Sequence, residues 1–151
     1  MLFYVMEPVD GILLPAASKS DEAEVIATSD LSRFSEIDYD TRSNLISERL
    51  KLVIERYLPK YDFQPVVYVD SPRNELMVFW RFKPAYFDGF QADFRSNGIV
   101  SSISFPEEIG PLIFTARSRK SAQSTIVRLA VAESILRRCI FGVKFTRISE
   151  Q

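Results

Sequence analysis

The side chains that could do chemistry are few in kind. The chain has no histidine and a single cysteine. Without histidine, neither a Ser-His-Asp nor a Cys-His arrangement can be built. The common zinc sites use histidine or several cysteines, so a site of that kind is excluded as well. Cys139 follows Arg137 and Arg138, and neighbouring guanidinium groups can lower a thiol pKa and make it reactive. A free cysteine is more often a small buried hydrophobe, and Cys139 falls at the end of an apolar helical stripe, so burial is the expectation. Carboxylates occur in close pairs: Asp38 with Asp40, Asp88 with Asp93, Glu107 with Glu108. Two converging carboxylates can do acid–base work, but exposed acids are common and sequence shows no convergence. The glycine-rich phosphate loops G-x-G-x-x-G and G-x-x-x-x-G-K-[ST] are missing, and so is C-x-x-C. With 5 glycines in 151 residues, a cradle of backbone N–H groups for phosphate is hard to assemble. These residues predict a protein that is not an enzyme, needs no cofactor or metal, and works by binding.

Candidate binding residues follow from charge and aromatic content. The net charge is −1, but residues 1–40 hold nine acids against two bases, while residues 115–151 hold eight bases against two acids. Such asymmetry bears on association rather than on fold; the bland alternative is that the two ends neutralise each other. Asp21, Glu22, Glu24, Asp30, Glu36, Asp38 and Asp40 form an acidic stretch. Read functionally, it mimics phosphate and docks on a basic active site, where complementary charge raises on-rate and specificity; read blandly, it is a solvated loop face. Tyr86, Phe87 and Phe90 flank Asp88-Gly89; aromatics near a loop often anchor interfaces, though core packing is the commoner use. Arg117, Arg119, Lys120, Arg128, Arg137 and Arg138 make a basic region, but a pI near 5.6 is far from the basic footprint of a nucleic-acid-binding domain.

The elements that must position these residues can be read from periodicity. The composition is 46% hydrophobic and 26% charged, an ordinary globular balance, and 12 Phe with 6 Tyr favour sheet. The length suits one domain, residues 1–151, with no linker or low-complexity tract. Residues 2–6 read as a first strand: the apolar start is short, lacks a positive n-region and is interrupted by Glu7 and Asp10, which argues against a signal peptide. No stretch reaches the roughly 18–20 apolar residues of a membrane span, so the cytoplasm is the expected location. Residues 15–23 and 30–44 read as loop, with a short strand around Val25-Ile26-Ala27 between them. Leu50, Val53, Ile54, Tyr57 and Leu58 form a helical stripe, so a helix is predicted over 47–58, capped by Ser47 and stopped by Pro59. Strands follow at 65–70 and 75–82, with Trp80 in the core. Residues 90–95 and 99–105 form a hairpin about Asn97-Gly98, read as a type I′ turn, with Ile99, Ser101, Ile103 and Phe105 on one face. A connection from Pro106 to Pro111, a short strand at 112–115 and an exposed loop at 117–124 lead to a second helix over 128–139, with Leu129, Ala132, Ile135, Leu136 and Cys139 as its stripe. Gly142 suits a left-handed cap or tight turn into a last strand at 143–148. The expected class is α+β, a mostly antiparallel sheet with two main helices. Leu45-Ile46-Ser47 and Ile126-Val127-Arg128 each lead into a helix, a faint internal repetition.

The order of these pieces resembles the α+β immunity proteins of bacterial polymorphic toxin systems. The resemblance rests on an N-terminal strand, on Leu45-Ile46-Ser47-Glu48-Arg49-Leu50 opening a helix, and on the strand Pro65-Val66-Val67-Tyr68. It continues through an Asp-bearing hairpin region around Asp88 to Ser96 and closes with a helix and Gly142-Val143-Lys144-Phe145. It spans most of residues 45–148 and is carried by order and spacing rather than by one motif. Arg128 departs from it, standing where a Ser often opens the second helix. The resemblance implies a cytoplasmic, non-enzymatic antitoxin that binds a cognate toxin domain and occludes its active site. Its interface would include Asp21, Glu22, Glu24, Glu36, Asp38 and Asp40, with Tyr86, Phe87 and Phe90. The rival reading is a general module binding protein, nucleic acid or its own copy.

Overall fold

The computed structural model describes residues 2–104, 110–117 and 123–150. In chain order these form β1 (Phe3–Pro8), β2 (Glu24–Ala27), a 3₁₀ turn (Leu31–Phe34), β3 (Tyr39–Asp40), β4 (Leu45–Ser47) and α1 (Glu48–Ile54). There follow β5 (Pro65–Asp70), β6 (Glu75–Arg81), β7 (Gln91–Phe94), β8 (Val100–Ser104), β9 (Ile113–Arg117), β10 (Gln123–Arg128), α2 (Leu129–Arg137) and β11 (Val143–Glu150). The class is α+β, with mostly antiparallel pairing and two helices, as the periodicity predicts.

Two compact units emerge. The first comprises Met1–Glu7, Lys83–Arg138 and Lys144–Gln151; the second comprises Pro8–Phe82 and Cys139–Val143. No linker marks the division, because each unit is assembled from segments far apart in sequence.

The first unit holds a sheet in the order β7-β8-β11-β1-β10-β9. Alternation on β1 sends Phe3 and Val5 to one face, where they pack with Val100, Ile103, Phe114, Ala116, Ile126 and Ile148. β10 differs from the sequence reading, which ends an exposed loop at 124. Gln123–Arg128 is a central strand, paired with β1 and β9, and its Ser124 and Thr125 are buried. Polar side chains hid a strand whose position is set by its two neighbours. The hairpin is present, but its turn is not type I′: Gly98 alone has positive φ, and its N–H donates to Arg95 O at 2.9 Å. This is the three-residue loop closed by a left-handed glycine. A register irregularity at Asp93/Phe94 brings Val100 and Ile103, three apart, to the core, so the expected period of two through Ile99 and Ser101 is broken. Phe105 and residues 106–109, Glu107 and Glu108 among them, lie outside the described residues, as do 118–122 with Arg119 and Lys120.

α2 buries Val131, Ala132 and Ile135, while Leu136 and Cys139 are exposed. The expected stripe was rotated towards the C-terminus and ran too far. The helix stops at Arg137, and Cys139, with φ 55°, takes the left-handed position just beyond it. That turn carries the thiol outward, so the burial expected of Cys139 does not occur, and Cys139 rather than Gly142 makes the left-handed cap.

The second unit holds a sheet in the order β2-β5-β6-β4-β3. Along β5, Val66, Tyr68 and Asp70 face inward, and Val66 and Tyr68 pack with Leu14, Leu31, Phe34, Leu45 and Phe79. The buried Tyr68 hydroxyl donates to Pro15 O at 2.7 Å. Ser47 caps α1 by accepting Leu50 N–H at 3.2 Å. α1 is shorter than its stripe predicts. After Ile54 the bonds tighten, with Tyr57 N donating to Ile54 O and Arg56 N to Val53 O, so residues to 57 continue as turns ahead of Pro59. Leu50, Val53 and Ile54 are fully buried, each stabilising by about 1.5–3 kcal/mol. Residues 30–44, expected to be irregular, include the 3₁₀ turn and β3. Trp80 is partly exposed rather than core; its indole N–H donates to Glu48 at 2.5 Å and Lys51 sits over its ring at 4.5 Å.

Candidate partner-binding site

Within the second unit lies a cleft of about 920 Å³, lined by the 8–13 segment, residues around 32–42, Arg49 and the 139–142 turn. Its rim is apolar where a solvated loop would be polar: Phe141 is 69% exposed, Leu13 61%, Ile12 56% and Val9 48%. Arg33, Arg42 and Arg49 share the lining.

Buried carboxylates position this rim. Asp38 is fully buried. Its carboxylate accepts Ser47 Oγ at 2.6 Å, Arg49 Nε at 2.5 Å and Nη2 at 2.9 Å, and Gly142 N at 2.9 Å. Gly142 O in turn accepts Val9 N–H at 3.2 Å, so one carboxylate fixes the turn that carries Phe141 and, through it, Val9. Gly142 has to be glycine because a Cβ there would fall 2.7 Å from Glu36 O and 2.8 Å from Asp38 Cβ. Asp40 plays a parallel part. It receives Arg42 Nε and Nη2 at 3.4 and 3.0 Å, and Arg42 Nη2 also donates to Leu14 O at 2.8 Å, beside Leu13. Hydrogen bonding to these partners raises the Arg42 and Arg49 pKa values above the usual guanidinium value. Both arginines are about half exposed.

The structure divides the sequence-predicted residues. Asp38 and Asp40 are buried and occupied by Arg49 and Arg42, so their carboxylates serve the fold in this conformation. Glu24 accepts Ser18 N and Oγ and Arg81 Nη2, the last at 2.7 Å. The Ser18 bonds and Arg81 lower its pKa against a smaller opposing effect of burial. Arg81, itself buried, also donates to Glu22 O and Ser18 O and so pins the 18–24 loop. Asp21, Glu22 and Glu36 remain exposed, Glu36 at the cleft. Tyr86, Phe87 and Phe90 are in the first unit. Phe87 and Phe90 pack against its core around Phe114. Tyr86 lies under Arg117 at 3.4 Å and Lys83 at 5.1 Å, and its hydroxyl accepts Gln123 Nε2 at 2.5 Å. Burial raises its pKa, but the two cations outweigh it and the net shift is downward. Asp88 and Asp93 are both exposed, and Asp93 accepts Ser102 Oγ at 3.2 Å. Of the basic residues, Arg128 is the oddity: its Nε and Nη2 are buried without a partner among the described residues, with the guanidinium 5.5 Å from the Phe3 ring.

The rim residues Val9, Ile12, Leu13 and Phe141 were missed by sequence reasoning. Each looks like an ordinary loop apolar; the available signal was a run of apolar residues, Ile12-Leu13-Leu14, in a segment with no strand or helix period. Among the described residues no group of acids and Cys is placed to hold a metal ion, and no helix is long and apolar enough to cross a membrane. No family model matches the chain, and no curated protein matches it.

Proposed function

We propose that the protein acts by capturing a protein partner, as a cytoplasmic immunity protein that neutralises a cognate toxin domain by occluding its active site without catalysis. The observation that carries the binding reading is the rim of the cleft. Four exposed apolar side chains, one a phenylalanine, stand beside two arginines already held by buried carboxylates. Aromatic and arginine side chains dominate binding hot spots, and groups fixed before contact lose less freedom on association. The toxin reading adds the order of elements that resembles immunity proteins; the exposed Asp21, Glu22 and Glu36 are the acids left for a basic target.

The test is to express the product of the adjacent upstream gene alone and together with this protein. The proposal expects growth arrest by the neighbour, rescue by this protein, and co-purification of the pair. The double variant Ile12→Asp/Phe141→Asp should then weaken capture at least about 30-fold, the loss of one hot spot of about 2 kcal/mol. A harmless neighbour that does not co-purify removes the toxin reading. Tight binding by the double variant removes the cleft as the contact surface.

A further inference from the structure

β2 is an edge strand of the second unit's sheet, paired on one side only, in parallel with β5. Thr28 N donates to Val69 O at 2.9 Å, which fixes the parity of the ladder. Even-numbered residues direct their backbone groups at β5, so the N–H and C=O of Val25 and Ala27 point to the open edge. Neither residue has a partner for these groups among the described residues. The side chains of the same two residues lie on the sheet's outer face. There the register sets Val25 beside Val67 and Val78, and Ala27 beside Val69 and Leu76. All six are apolar, and Val25 and Leu76 are 71% and 66% exposed. α1 reaches the sheet further along, at Trp80. A row of free backbone groups bordering an apolar face is a template for an added strand, which sheet edges normally suppress with charge, proline or a bulge.

Charge at the two ends of β2 selects the occupant. Asp21 and Glu22 precede the strand and Asp30 follows it, all three exposed. A second copy added antiparallel, in the register that uses both Val25 and Ala27, would set Glu22 opposite Asp30 of that copy, and like charges across a strand pair are destabilising. A strand with basic ends meets the opposite situation.

We infer that the open edge of β2 accepts an extended segment of a partner protein, apolar at the positions beside Val25 and Ala27 and basic at both ends, as an added antiparallel strand. Main-chain bonds supply affinity, the outer-face neighbours read alternate side chains, and the acids set the ends. This does not rest on the toxin reading, since it uses a different surface and a different readout.

The test uses the full chain and synthetic nine-residue peptides with valine opposite Val25 and Ala27. One carries lysines at its ends, one carries glutamates, and one has lysine ends with N-methylated pairing residues. Amide hydrogen exchange is followed by NMR. The lysine peptide should slow exchange of Val25 and Ala27 at least about tenfold and leave Ile26 as it was, and the effect should fade at high salt. The other two peptides should leave both amides fast. Ala27→Pro removes an N–H that the β5 ladder does not use, and Val25→Lys places a charge on the outer face; each should abolish the effect, the second guarding against a folding defect in the first. No protection by any peptide, or equal protection by lysine and glutamate peptides, overturns the inference. Protection that appears without peptide and grows with protein concentration, together with a doubled mass, overturns it in favour of a second copy.

Discussion

Asp38→Ala should destabilise the second unit more than any surface substitution, and the size can be worked from the bonds it removes. The carboxylate is fully buried and accepts four hydrogen bonds from three residues. Two of these donors have little access to water in its absence: the Ser47 hydroxyl, itself buried, and the half-buried Gly142 amide. A buried donor left unmade costs about 1–3 kcal/mol. Arg49 is different. Its side chain is 48% exposed, so the guanidinium can turn to water and the ion pair itself contributes only about 1 kcal/mol after screening. The total, about 3–7 kcal/mol, overlaps the range of about 3–5 kcal/mol for breaking a buried pair by removing one partner. The assay is urea unfolding followed by the fluorescence of Trp80, the only tryptophan, which sits in the same unit. With a slope of about 2 kcal/mol/M, the midpoint should fall by about 2 M with the slope unchanged. A fall of less than about 0.5 M would refute the reasoning, because it would mean that Ser47 and Gly142 find other partners at no cost and that the carboxylate does not hold the turn.

Two further outcomes follow from the same unit. Gly142→Ala places a methyl within 2.7 Å of Glu36 O and 2.8 Å of Asp38 Cβ, neither at the end of a flexible side chain. It should cost about 1–3 kcal/mol, as overpacking does, and a wild-type urea midpoint would show that the turn gives way freely. Tyr68 sets a limit at high pH. Burial, then the negative charges of Asp40 and Glu24, push its phenol up to about 12 from an ordinary value of 10.0. Between these values the unfolded chain has lost the proton that the folded chain keeps, so stability falls as pH rises from 10 towards 12. Tyr68→Phe should flatten that fall in pH-dependent unfolding, while losing about 1 kcal/mol at neutral pH with the bond to Pro15; an unaltered pH profile would place the base lability elsewhere.

Much of the fold was legible because it depends on local pattern. The alternation of Pro65–Asp70, the Ser47 cap and the Leu50, Val53 and Ile54 part of the α1 stripe are each decided within a few residues, and they appear where the sequence places them. What was not legible depends on distant partners. β10 carries Gln, Ser and Thr and becomes a strand because β1 and β9 flank it. Cys139 is exposed because α2 stops two residues short of it. The cleft was least legible of all. The acids of the 21–40 stretch look alike in sequence, yet Asp38 and Asp40 are occupied by Arg49 and Arg42, Glu24 by Arg81, and Asp21 and Glu22 are open. Which acid does which is set by arginines 2 to 57 positions away and by the Gly142 amide 104 positions away.

That division explains how a loop-built surface can stay apolar and defined at once. Loops have few backbone partners of their own, and exposed apolar side chains on a slack loop would collapse onto each other. Here each segment of the rim is tied from beneath. Asp38 holds Gly142, Gly142 holds Val9, and Asp40 acts through Arg42 on Leu14. The buried acids therefore spend their charge on geometry, and the cleft rim they leave is apolar and carries arginines. The acidic character expected of a docking face is confined to Asp21, Glu22, Asp30 and Glu36, and three of these border the open edge of β2. One run of acids thus supports two surfaces by opposite means, through burial at the cleft and through exposure at the edge. The consequence is specific: neutralising Asp21 and Glu22 should leave the cleft and the stability of the unit untouched, whereas loss of Asp38 should disorder the Phe141 rim without altering the edge charge.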